Sequence, residues 1–291
     1  MKVGFVTIIG RSNVGKSTIL NALLNKSLAI VTNKPQTTRE NLRGLYEDEY
    51  SQIVFIDTPG VHKPHHELGK VMNKNAFASL SEVEVIVLGV DASKRFGEGD
   101  RFLLSKLDPK TPLIIVLNKI DLVTITQVTK LKEEYQKHLS FPYTLLEMSA
   151  IRLFNVNELL EEIKKHLVEG LPFYPLGSET DRDEFFFAKE IVRQQALLQL
   201  REEVPHQLAV IIEKYTKKAK AVVIEALIIV EKPSHKAIVI GKEGKRLKQI
   251  GTNARLLLEK RLKERVHLTL HVIVKKDWFN NPRLLKEYGY Y

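Results

Sequence analysis

Short apolar runs alternate with stretches of helical spacing along the first half of the chain. Runs rich in β-branched residues occupy residues 3–9, 53–56, 85–90 and 112–117. Each run has the length of a buried strand and is too short for a typical helix. The stretch at residues 18–24 contains no breaker and predicts a helix directly after the first strand. Strands that alternate with helices predict an α/β domain with a mostly parallel sheet flanked by helices.

The second half has a different order of elements. Apolar residues recur at helical spacing over residues 187–198, whereas residues 208–215 and 221–230 have the pattern of strands. Helical spacing returns at 247–258, and strict alternation over 268–274 predicts one more strand. Counting a short apolar segment before residue 241, the order is helix, strand, strand, helix, helix, strand. This order predicts a second, smaller α+β domain.

Length and local composition predict two domains with a linker between them. A chain of 291 residues has the length of about two domains, and glycine and proline concentrate at residues 170–178. We therefore expect a first domain at residues 1–170, a linker at 171–180 and a second domain with a C-terminal tail at 181–291.

The overall composition narrows the class of protein. Apolar residues make up 44 % of the chain and charged residues 27 %, as in ordinary globular proteins. No apolar run approaches the roughly 18 residues that span a bilayer. The first run passes into a glycine motif without a signal-peptide cleavage site, so no secretory leader is expected. The chain has no cysteine, which excludes disulfides, thiolate nucleophiles and Cys-ligated zinc and permits a reducing compartment.

The net charge of +10 is unevenly distributed along the chain. Residues 1–180 hold 22 basic and 21 acidic side chains, while residues 181–291 hold 23 and 14. A near-neutral domain beside a strongly basic one favours a polyanionic partner for the second domain. On charge alone, a solvated basic surface is an equally good explanation.

Residues 10–17 read Gly-Arg-Ser-Asn-Val-Gly-Lys-Ser and lie between the first strand and the first helix. Gly-x-x-x-x-Gly-Lys-Ser in that setting is the signature of a phosphate-binding P-loop. Its glycines let the loop curl so that backbone N–H groups point at phosphate oxygens, and the helix N-terminus adds a positive dipole. Lys16 is then expected at the β- and γ-phosphates, and the Ser17 hydroxyl at Mg²⁺.

Two further segments follow in the order that a nucleotide switch requires. Residues 32–39 form a polar loop whose threonines can close on Mg²⁺ and the γ-phosphate. Residues 57–60 read Asp-Thr-Pro-Gly and come directly after the strand at 53–56. Asp57 suits a Walker-B carboxylate that holds Mg²⁺ through water, and Gly60 lets a backbone N–H approach the γ-phosphate. Contacts that exist only with a γ-phosphate would make both loops switches.

Three histidines follow the second switch segment, at His62, His65 and His66. Their number allows a metal site, but the neighbouring Gly60 and Pro64 favour a mobile, solvated loop. We therefore prefer the switch-loop interpretation.

The strand at 112–117 leads into Asn-Lys-Ile-Asp at residues 118–121. The Asp121 carboxylate can accept two hydrogen bonds, from guanine N1–H and from the 2-amino group. Adenine lacks both donors and would leave the carboxylate unpaired. Asn118 and Lys119 would brace the loop and cover the base, and a backbone N–H at residues 149–150 could reach guanine O6. Together with the P-loop and the switch segments, these residues predict a GTP-binding domain.

Residues 241–244 read Gly-Lys-Glu-Gly between two predicted helices of the second domain. Helix, Gly-x-x-Gly, helix is the core of a KH domain, whose loop clamps a nucleic-acid backbone over about four nucleotides. The glycines allow close phosphate approach and Lys242 supplies charge. Residues 241–263 hold eight basic side chains against two acidic ones. Because KH grooves accept splayed single strands, single-stranded RNA is the expected ligand rather than duplex DNA.

The motifs carry a family resemblance. On residues 36–39 (Gln-Thr-Thr-Arg) and 57–60 (Asp-Thr-Pro-Gly), the first domain resembles the Era/MnmE/EngA group of translation-factor-class small GTPases. A GTPase followed by one type II KH domain resembles the bacterial Era family over essentially the whole chain. The resemblance implies a GTP-hydrolysing switch that binds the 3′ end of 16S ribosomal RNA and acts in 30S subunit assembly. It also implies a cytoplasmic protein, with peripheral contact to the cell membrane in some members, and we expect a monomer.

Three positions refine the chemistry that the resemblance implies. Thr38 matches the group's Mg²⁺-ligating threonine. Val61 stands where Ras-like GTPases have a water-orienting glutamine, and valine cannot hydrogen-bond a nucleophile. This implies weak intrinsic hydrolysis, or hydrolysis completed by another element, so we assign no catalytic residue. Asn13 matches the P-loop asparagine that helps hold potassium in related GTPases, so potassium joins Mg²⁺ as an expected cofactor.

The expected site residues form three groups. The GTP phosphates are expected at Gly10, Arg11, Ser12, Asn13, Val14, Gly15, Lys16, Ser17, Thr18, Thr38, Asp57 and Gly60, with Mg²⁺ held by Ser17, Thr38 and Asp57. Guanine is expected at Asn118, Lys119, Asp121, Ser149 and Ala150. RNA is expected at Ile240, Gly241, Lys242, Glu243, Gly244, Lys245, Arg246 and Lys248.

Two rival functions stay open beside this one. The first is a GTP-gated membrane or cell-cycle regulator whose KH domain contacts protein. The second is an RNA-binding protein with a vestigial GTPase, which is disfavoured because no phosphate or base contact is missing. A double GTPase of the EngA kind is excluded, because the chain has no second Gly-x-x-x-x-Gly-Lys-Ser.

Overall fold

The chain forms two compact units. The structure is a computed structural model that describes residues 1–81, 83–200 and 204–291. The first unit comprises residues Met1–Val31, Thr38–His65 and Gly69–Asp181. The second comprises Arg182–Tyr291 together with two short segments from earlier in the chain, Thr32–Thr37 and His66–Leu68.

The first half of the chain alternates strands with helices, as its apolar pattern predicts. The strands are β1 (Lys2–Gly10), β2 (Leu42–Glu47), β3 (Ser51–Asp57), β4 (Val85–Asp91), β5 (Leu113–Asn118), β6 (Thr144–Glu147) and β7 (Val168–Glu169). The helices are α1 (Lys16–Leu24), α2 (Glu67–Ala78), α3 (Glu98–Leu104), α4 (Ile125–His138) and α5 (Val156–Lys164), with short 3₁₀ turns at Ile120–Leu122 and Ala150–Arg152.

The sheet of the first unit has the strand order β2-β3-β1-β4-β5-β6. The short β7 pairs with the first residues of β1, Lys2 and Val3. All pairings along this order are parallel except β2 with β3, and β7 is antiparallel to β1. Both faces of β3 and β4 are buried, which explains why their sequences are continuous apolar runs. Gly10 is in register with Gly89, and Asp91 with Asn118. The carboxyl ends of β1, β4 and β5 therefore meet at one edge of the sheet.

One hydrophobic core packs helices α3 and α4 against this sheet. Its buried members include Ile9, Leu88 and Leu117 from the strands and Leu103 and Tyr135 from the helices. The apolar pattern of the strands predicts this arrangement, and the fold class expected for the first domain is confirmed.

The segment predicted as a linker is bound to the sheet of the first unit. Gln52 and Tyr174 exchange two hydrogen bonds, of 2.9 and 3.0 Å. The Leu45 N–H donates to the Glu179 carbonyl at 2.9 Å, which satisfies part of the outer edge of β2. An exposed strand edge presents unpaired backbone groups, so this segment covers an edge that would otherwise be open to other chains.

The second unit contains the predicted order of KH elements. They are α6 (Glu184–Gln199), β8 (Leu208–Lys218), β9 (Ala221–Val230), α7 (Pro233–Ile240), α8 (Lys245–Leu262), β10 (Val266–Val274) and a C-terminal α9 (Pro282–Glu287). The sheet order is β10-β9-β8, with β9 antiparallel to β8 and parallel to β10. A buried core joins one face of this sheet to α6, α7 and α8. The smaller α+β fold is confirmed. No helix among the described residues is long and apolar enough to cross a bilayer.

The C-terminal tail is part of the fold of the second unit. Trp278 is fully buried, and its indole N–H donates to the Gln207 carbonyl at 3.1 Å. The rings of Phe279, Tyr288 and Tyr290 lie within 6.2 Å of the Trp278 ring, measured between centroids. Sequence patterning identified these residues only as a tail.

We predict that Leu285→Ala destabilises the second unit by about 2–5 kcal/mol, the usual cost of deleting a buried leucine side chain. Leu285 is fully buried in α9. Since Trp278 is the single tryptophan of the chain, its fluorescence during urea unfolding reports on this unit. Leu256→Ala is the matched control, because Leu256 is 52 % exposed, and it should cost less than about 0.5 kcal/mol. Equal losses in the two variants would contradict the packing of the tail.

Candidate nucleotide and RNA sites

The P-loop curls at the end of β1 and leads into α1. Gly15 has a φ of 96°, in the left-handed region that glycine adopts without strain, and it caps the N-terminus of α1. A side chain at Gly10 would meet the Gly89 carbonyl at 2.4 Å. Both fixed glycines of the motif are therefore required by local geometry. Thr18 is the third residue of α1, one position after Ser17.

Lys16 lies across the loop that it follows. Its ammonium group donates to the carbonyls of Gly10 at 3.3 Å and Arg11 at 3.1 Å. Burial lowers the pKa of Lys16 to about 8, although the charge of Asp57 opposes this shift. A phosphate group beside the lysine would favour its charged form.

The three predicted Mg²⁺ ligands converge. The Ser17 hydroxyl donates to Asp57 Oδ2 at 2.6 Å, and Thr38 Oγ1 lies 2.8 Å from Ser17 Oγ and 3.3 Å from the same carboxylate oxygen. The second carboxylate oxygen of Asp57 is buried and has no hydrogen-bond partner among the described residues. Burial raises the pKa of Asp57 to about 6, although Lys16, Ser17 and Thr38 favour its charged form. A hard divalent cation would satisfy this oxygen-only donor set.

The second switch segment contacts the P-loop directly. A side chain at Gly60 would meet Ser12 Cα at 2.6 Å, and the Val61 N–H donates to the Gly10 carbonyl at 3.1 Å. The Val61 side chain is 3 % exposed and belongs to the core that contains Ile9 and Leu88. The position that carries the water-orienting glutamine in Ras-like GTPases is thus a core position in this chain.

The three histidines of this region lie in different surroundings. The His62 ring is 3.0 Å from the Gly60 carbonyl, whereas His66 makes an edge-on contact with Phe279 of the C-terminal tail. No group of three or more acidic or histidine side chains able to hold a metal ion occurs among the described residues.

The predicted guanine residues pack against the P-loop. Asn118 donates to the Val14 carbonyl at 2.9 Å, and Lys119 Nζ donates to the Asn13 carbonyl at 2.6 Å. Ser149 donates its hydroxyl proton to Asp121 Oδ1 at 2.5 Å, and this contact orients the exposed carboxylate. The structure therefore brings the base loop and the phosphate loop together.

The predicted contact to guanine O6 stays a prediction. The Ala150 N–H donates to Asn118 Oδ1 at 3.0 Å, and the Ser149 N–H donates to the Phe154 carbonyl at 3.3 Å. A guanine oxygen would have to share the Ala150 donor with Asn118.

The loop before Thr38 is held by a buried arginine of the second unit. Residues Thr32–Thr37 belong to that unit. Arg193 of α6 is 1 % exposed, forms an ion pair with Glu190 and donates to the Thr37 carbonyl. Nothing in the sequence distinguished Arg193 from other basic residues of an amphipathic helix, so pattern analysis missed it.

The Gly-x-x-Gly loop connects α7 to α8. Gly241 and Gly244 have φ values of 72° and 71°, and a side chain at Gly241 would meet Arg246 Cβ at 2.8 Å. Lys242, Glu243 and Lys245 are exposed. The predicted RNA residues thus lie together at the turn and the first turns of the adjoining helices. From this turn, a groove of about 450 Å³ runs between α8 and β10.

The groove adds residues that the motif did not include. Its lining is Gly244, Leu247, Lys248, Gly251, Thr252, Arg255, Leu268, Thr269 and Leu270. The helical members recur at intervals of three or four, which places them on one face of α8. That spacing and the alternation along β10 are the sequence signals from which these groove residues could have been predicted. Basic side chains beside an apolar floor suit a phosphate backbone with bases lying against β10.

Comparison with known proteins identifies the family of each domain. Residues 5–119 match the family model described as a 50S ribosome-binding GTPase, and residues 203–279 match the KH domain model. The chain is 45 % identical over 291 residues to GTPase Era of Clostridium beijerinckii, covering 99 % of this chain and 97 % of that protein. The same enzyme of Clostridium kluyveri is 43 % identical over the whole chain and 99 % of its own length. The chain belongs to the Era family of GTPases.

Solved Era structures share the complete fold. Era in complex with MgGDPNP and nucleotides 1506–1542 of 16S ribosomal RNA matches with a TM-score of 0.95 at 38 % identity, covering 100 % of this chain and 99 % of that one. A variant of Aquifex aeolicus Era bound to GDP·AlF₄⁻ matches with a TM-score of 0.94 at the same identity and coverage. The sequence prediction of the family, of GTPase activity and of a KH domain is confirmed.

We predict that Val61→Gln does not accelerate GTP hydrolysis and lowers the free energy of unfolding by about 1–3 kcal/mol, because it buries an amide without partners. Single-turnover hydrolysis and urea unfolding followed by circular dichroism measure the two quantities. His62→Gln adds the same group at a half-exposed position and should cost less stability. Faster hydrolysis in a fully stable Val61→Gln protein would show that this side chain reaches the γ-phosphate.

Proposed function

We propose that this Era-family GTPase is a switch whose KH groove binds the 3′ end of 16S ribosomal RNA during assembly of the 30S subunit. The observation that carries the proposal is the groove beside Gly241–Gly244, lined by basic and apolar residues. The match over the full chain to Era bound to that RNA supports the choice of ligand. The proposal keeps the predicted domain limits, with GTP binding at residues 1–170, a linker at 171–180 and RNA binding at 181–291.

The proposal assigns the nucleotide contacts as the motifs predict. Residues 10–18 hold the phosphates, Ser17, Thr38 and Asp57 hold Mg²⁺, and Asp121 binds guanine. The Mg²⁺ assignment is supported by the unpartnered buried oxygen of Asp57 and by the MgGDPNP complex of Era. When bound, Mg²⁺ neutralises the charge that develops on the γ-phosphate.

Four further expectations from the family resemblance belong to this proposal. They are potassium near Asn13, a monomeric state, a cytoplasmic location and peripheral contact with the cell membrane.

Substitutions in the Gly-x-x-Gly turn test the rival function, in which the KH domain contacts protein. We predict that Lys242→Asp combined with Glu243→Asp weakens binding of an RNA oligonucleotide carrying the 16S 3′ end by about tenfold or more, because acidic side chains repel the phosphates. Affinity is measured by fluorescence anisotropy at several salt concentrations, where the wild-type protein should lose affinity steeply as salt rises.

A control with the same charge change lies on β8. Lys218→Asp with Glu213→Asp alters two exposed side chains on the strand that β9 separates from β10, away from the Gly-x-x-Gly turn, and it should change RNA affinity by less than about threefold if its effect is only long-range. Equal losses in both double variants would show non-specific attraction and favour the rival function.

The contact between Arg193 and Thr37 supports a link between nucleotide and RNA. Thr37 belongs to the second unit, and its chain neighbour Thr38 is a proposed Mg²⁺ ligand. When Mg²⁺ and a γ-phosphate fix Thr38, they also fix the peptide group that Arg193 binds. Binding at either site should therefore alter the other by the same factor, since linkage is reciprocal.

We predict that RNA affinity with a non-hydrolysable GTP analogue differs from that with GDP by about 5- to 150-fold, corresponding to a coupling of about 1–3 kcal/mol. The measurement is made with the analogue, with GDP and without nucleotide in one buffer. The reciprocal experiment, analogue affinity with and without RNA, must give the same factor. Three equal RNA affinities would mean that the GTPase and the RNA binder are merely joined in one chain.

A further inference from the structure

Asp91 is a buried carboxylate that belongs to none of the predicted motifs. It is the last residue of β4, and its side chain is 8 % exposed. One carboxylate oxygen accepts hydrogen bonds from the Ser93 N–H at 3.0 Å and from the Ser93 hydroxyl at 2.7 Å. The other oxygen accepts from Lys119 Nζ at 2.7 Å. The carboxylate is thus fully occupied within its own unit.

Lys119 joins Asp91 to the P-loop. The same ammonium group that donates to Asp91 also donates to the Asn13 carbonyl at 2.6 Å. The Asp91–Lys119–Asn13 chain therefore connects the end of β4, the base loop and the phosphate loop through one side chain. An ion pair this close and partly buried is screened by salt much less than a surface pair.

The backbone of Lys119 needs such an anchor. Its φ of 65° and ψ of 34° lie in the left-handed region, which a lysine adopts only where surrounding contacts hold it. Lys119 caps the turn Ile120–Leu122, and this turn carries Asp121. A force that holds the Lys119 side chain therefore also holds the turn that presents the guanine-binding carboxylate.

The charge of Asp91 is maintained in this setting. Burial raises the pKa of Asp91, but hydrogen bonds from Lys119 and Ser93 outweigh it and leave the pKa below its usual value. At neutral pH the contact is consequently between two full charges.

We propose that Asp91 is a positioning residue for the nucleotide site, which holds Lys119 against the P-loop carbonyl of Asn13 and thereby fixes the guanine-binding turn. Asp91 acts through Lys119 and does not itself touch the nucleotide. Because neither Asp91 nor Lys119 is among the residues placed at the γ-phosphate, its effect should be the same on GDP and on a GTP analogue. The proposal rests on the guanine site assigned above.

The decisive variant is Asp91→Asn in the full chain. The amide keeps the shape and an oxygen acceptor for Ser93 but removes the charge that holds Lys119. We expect the affinities for GDP and for a non-hydrolysable GTP analogue both to fall on the order of tenfold, through faster dissociation. Single-turnover hydrolysis of GTP already bound should keep its rate. A purely structural role would not separate dissociation from hydrolysis in this way.

Two controls test whether the effect is local. Ser93→Ala removes the hydroxyl that donates to the other carboxylate oxygen of Asp91 and leaves the backbone N–H donor in place. Asp48→Asn neutralises another carboxylate of the first unit, which is ion-paired with Lys164 at 2.9 Å. Both should change nucleotide affinity less than about twofold, since sites without shared partners act independently.

A double-mutant cycle with Lys119→Met decides the mechanism. If Asp91 acts through Lys119, Asp91→Asn weakens binding in the wild-type background and adds less than about twofold in the Lys119→Met background. Equal losses in both backgrounds, or no loss in either, would overturn the proposal. If Asp91→Asn fails to fold, the cycle is run with Asp91→Glu, which keeps the charge but displaces it, and the same two outcomes decide.

The guanine assignment is tested separately. Asp121→Asn should shift preference from guanosine to xanthosine nucleotides, because xanthine presents a carbonyl where guanine has an amino group. If it does not, the guanine site is wrong, whereas the Asp91 cycle still shows whether Lys119 is positioned as proposed.

Discussion

Parallel pairing of β1 with β3 and β4, continued by β5 beside β4, is the constraint on which the nucleotide site depends. In a parallel sheet all carboxyl ends lie at one edge, and crevices outside that edge are where α/β proteins bind ligands. The registers Ile8 with Asp57 and Asp91 with Asn118 set the heights of the side chains that follow each strand. The P-loop, the Asp57 carboxylate and the base loop meet because their strands pair in this order. No single motif produces the site by itself.

The same edge of the sheet holds several buried polar side chains, whose removal from water costs free energy. Lys16, Asp57, Asp91 and Asn118 are all buried. Asp91 and Asn118 are satisfied by partners within the unit, whereas Lys16 and Asp57 have pKa values displaced toward neutrality. In the proposed site, phosphate groups beside Lys16 and Mg²⁺ beside Asp57 would add further opposite charge to these two groups. Asp91 and Asn118 thus have their partners in the fold, whereas we propose that Lys16 and Asp57 gain further partners when the nucleotide and Mg²⁺ bind.

The parts of this molecule that local patterns encode could be predicted from the sequence. Strands β1, β3, β4 and β5 are continuous apolar runs because both faces are buried, and their loops carry chemistry at fixed spacing. Contacts between distant segments were not visible. The Val61 N–H donates to the Gly10 carbonyl, Arg193 contacts Thr37 across 156 positions, and the Trp278 indole donates to the Gln207 carbonyl. Asp91 showed only as an acid after an apolar run, a common way for a strand to end.

The two proposed anion sites share one local backbone arrangement in two different environments. Gly15 and Gly244 both have left-handed backbones, both cap a helix, and each is followed by a lysine at the first helical position. In both cases the glycine exposes the N–H groups at the start of a helix, where negative charge is favoured.

The two sites differ in what surrounds this glycine and lysine. Lys16 is buried and donates to loop carbonyls, so the P-loop suits a compact group of phosphates. Lys245 is exposed and follows Gly244, which lines an open groove, so this groove suits an extended backbone that runs along α8. An enclosed site can distinguish nucleotides that differ by one phosphate. An open groove can bind the phosphates of a nucleic-acid strand and leave its bases accessible. The proposed switch, which senses a nucleotide and holds an RNA, needs one site of each kind.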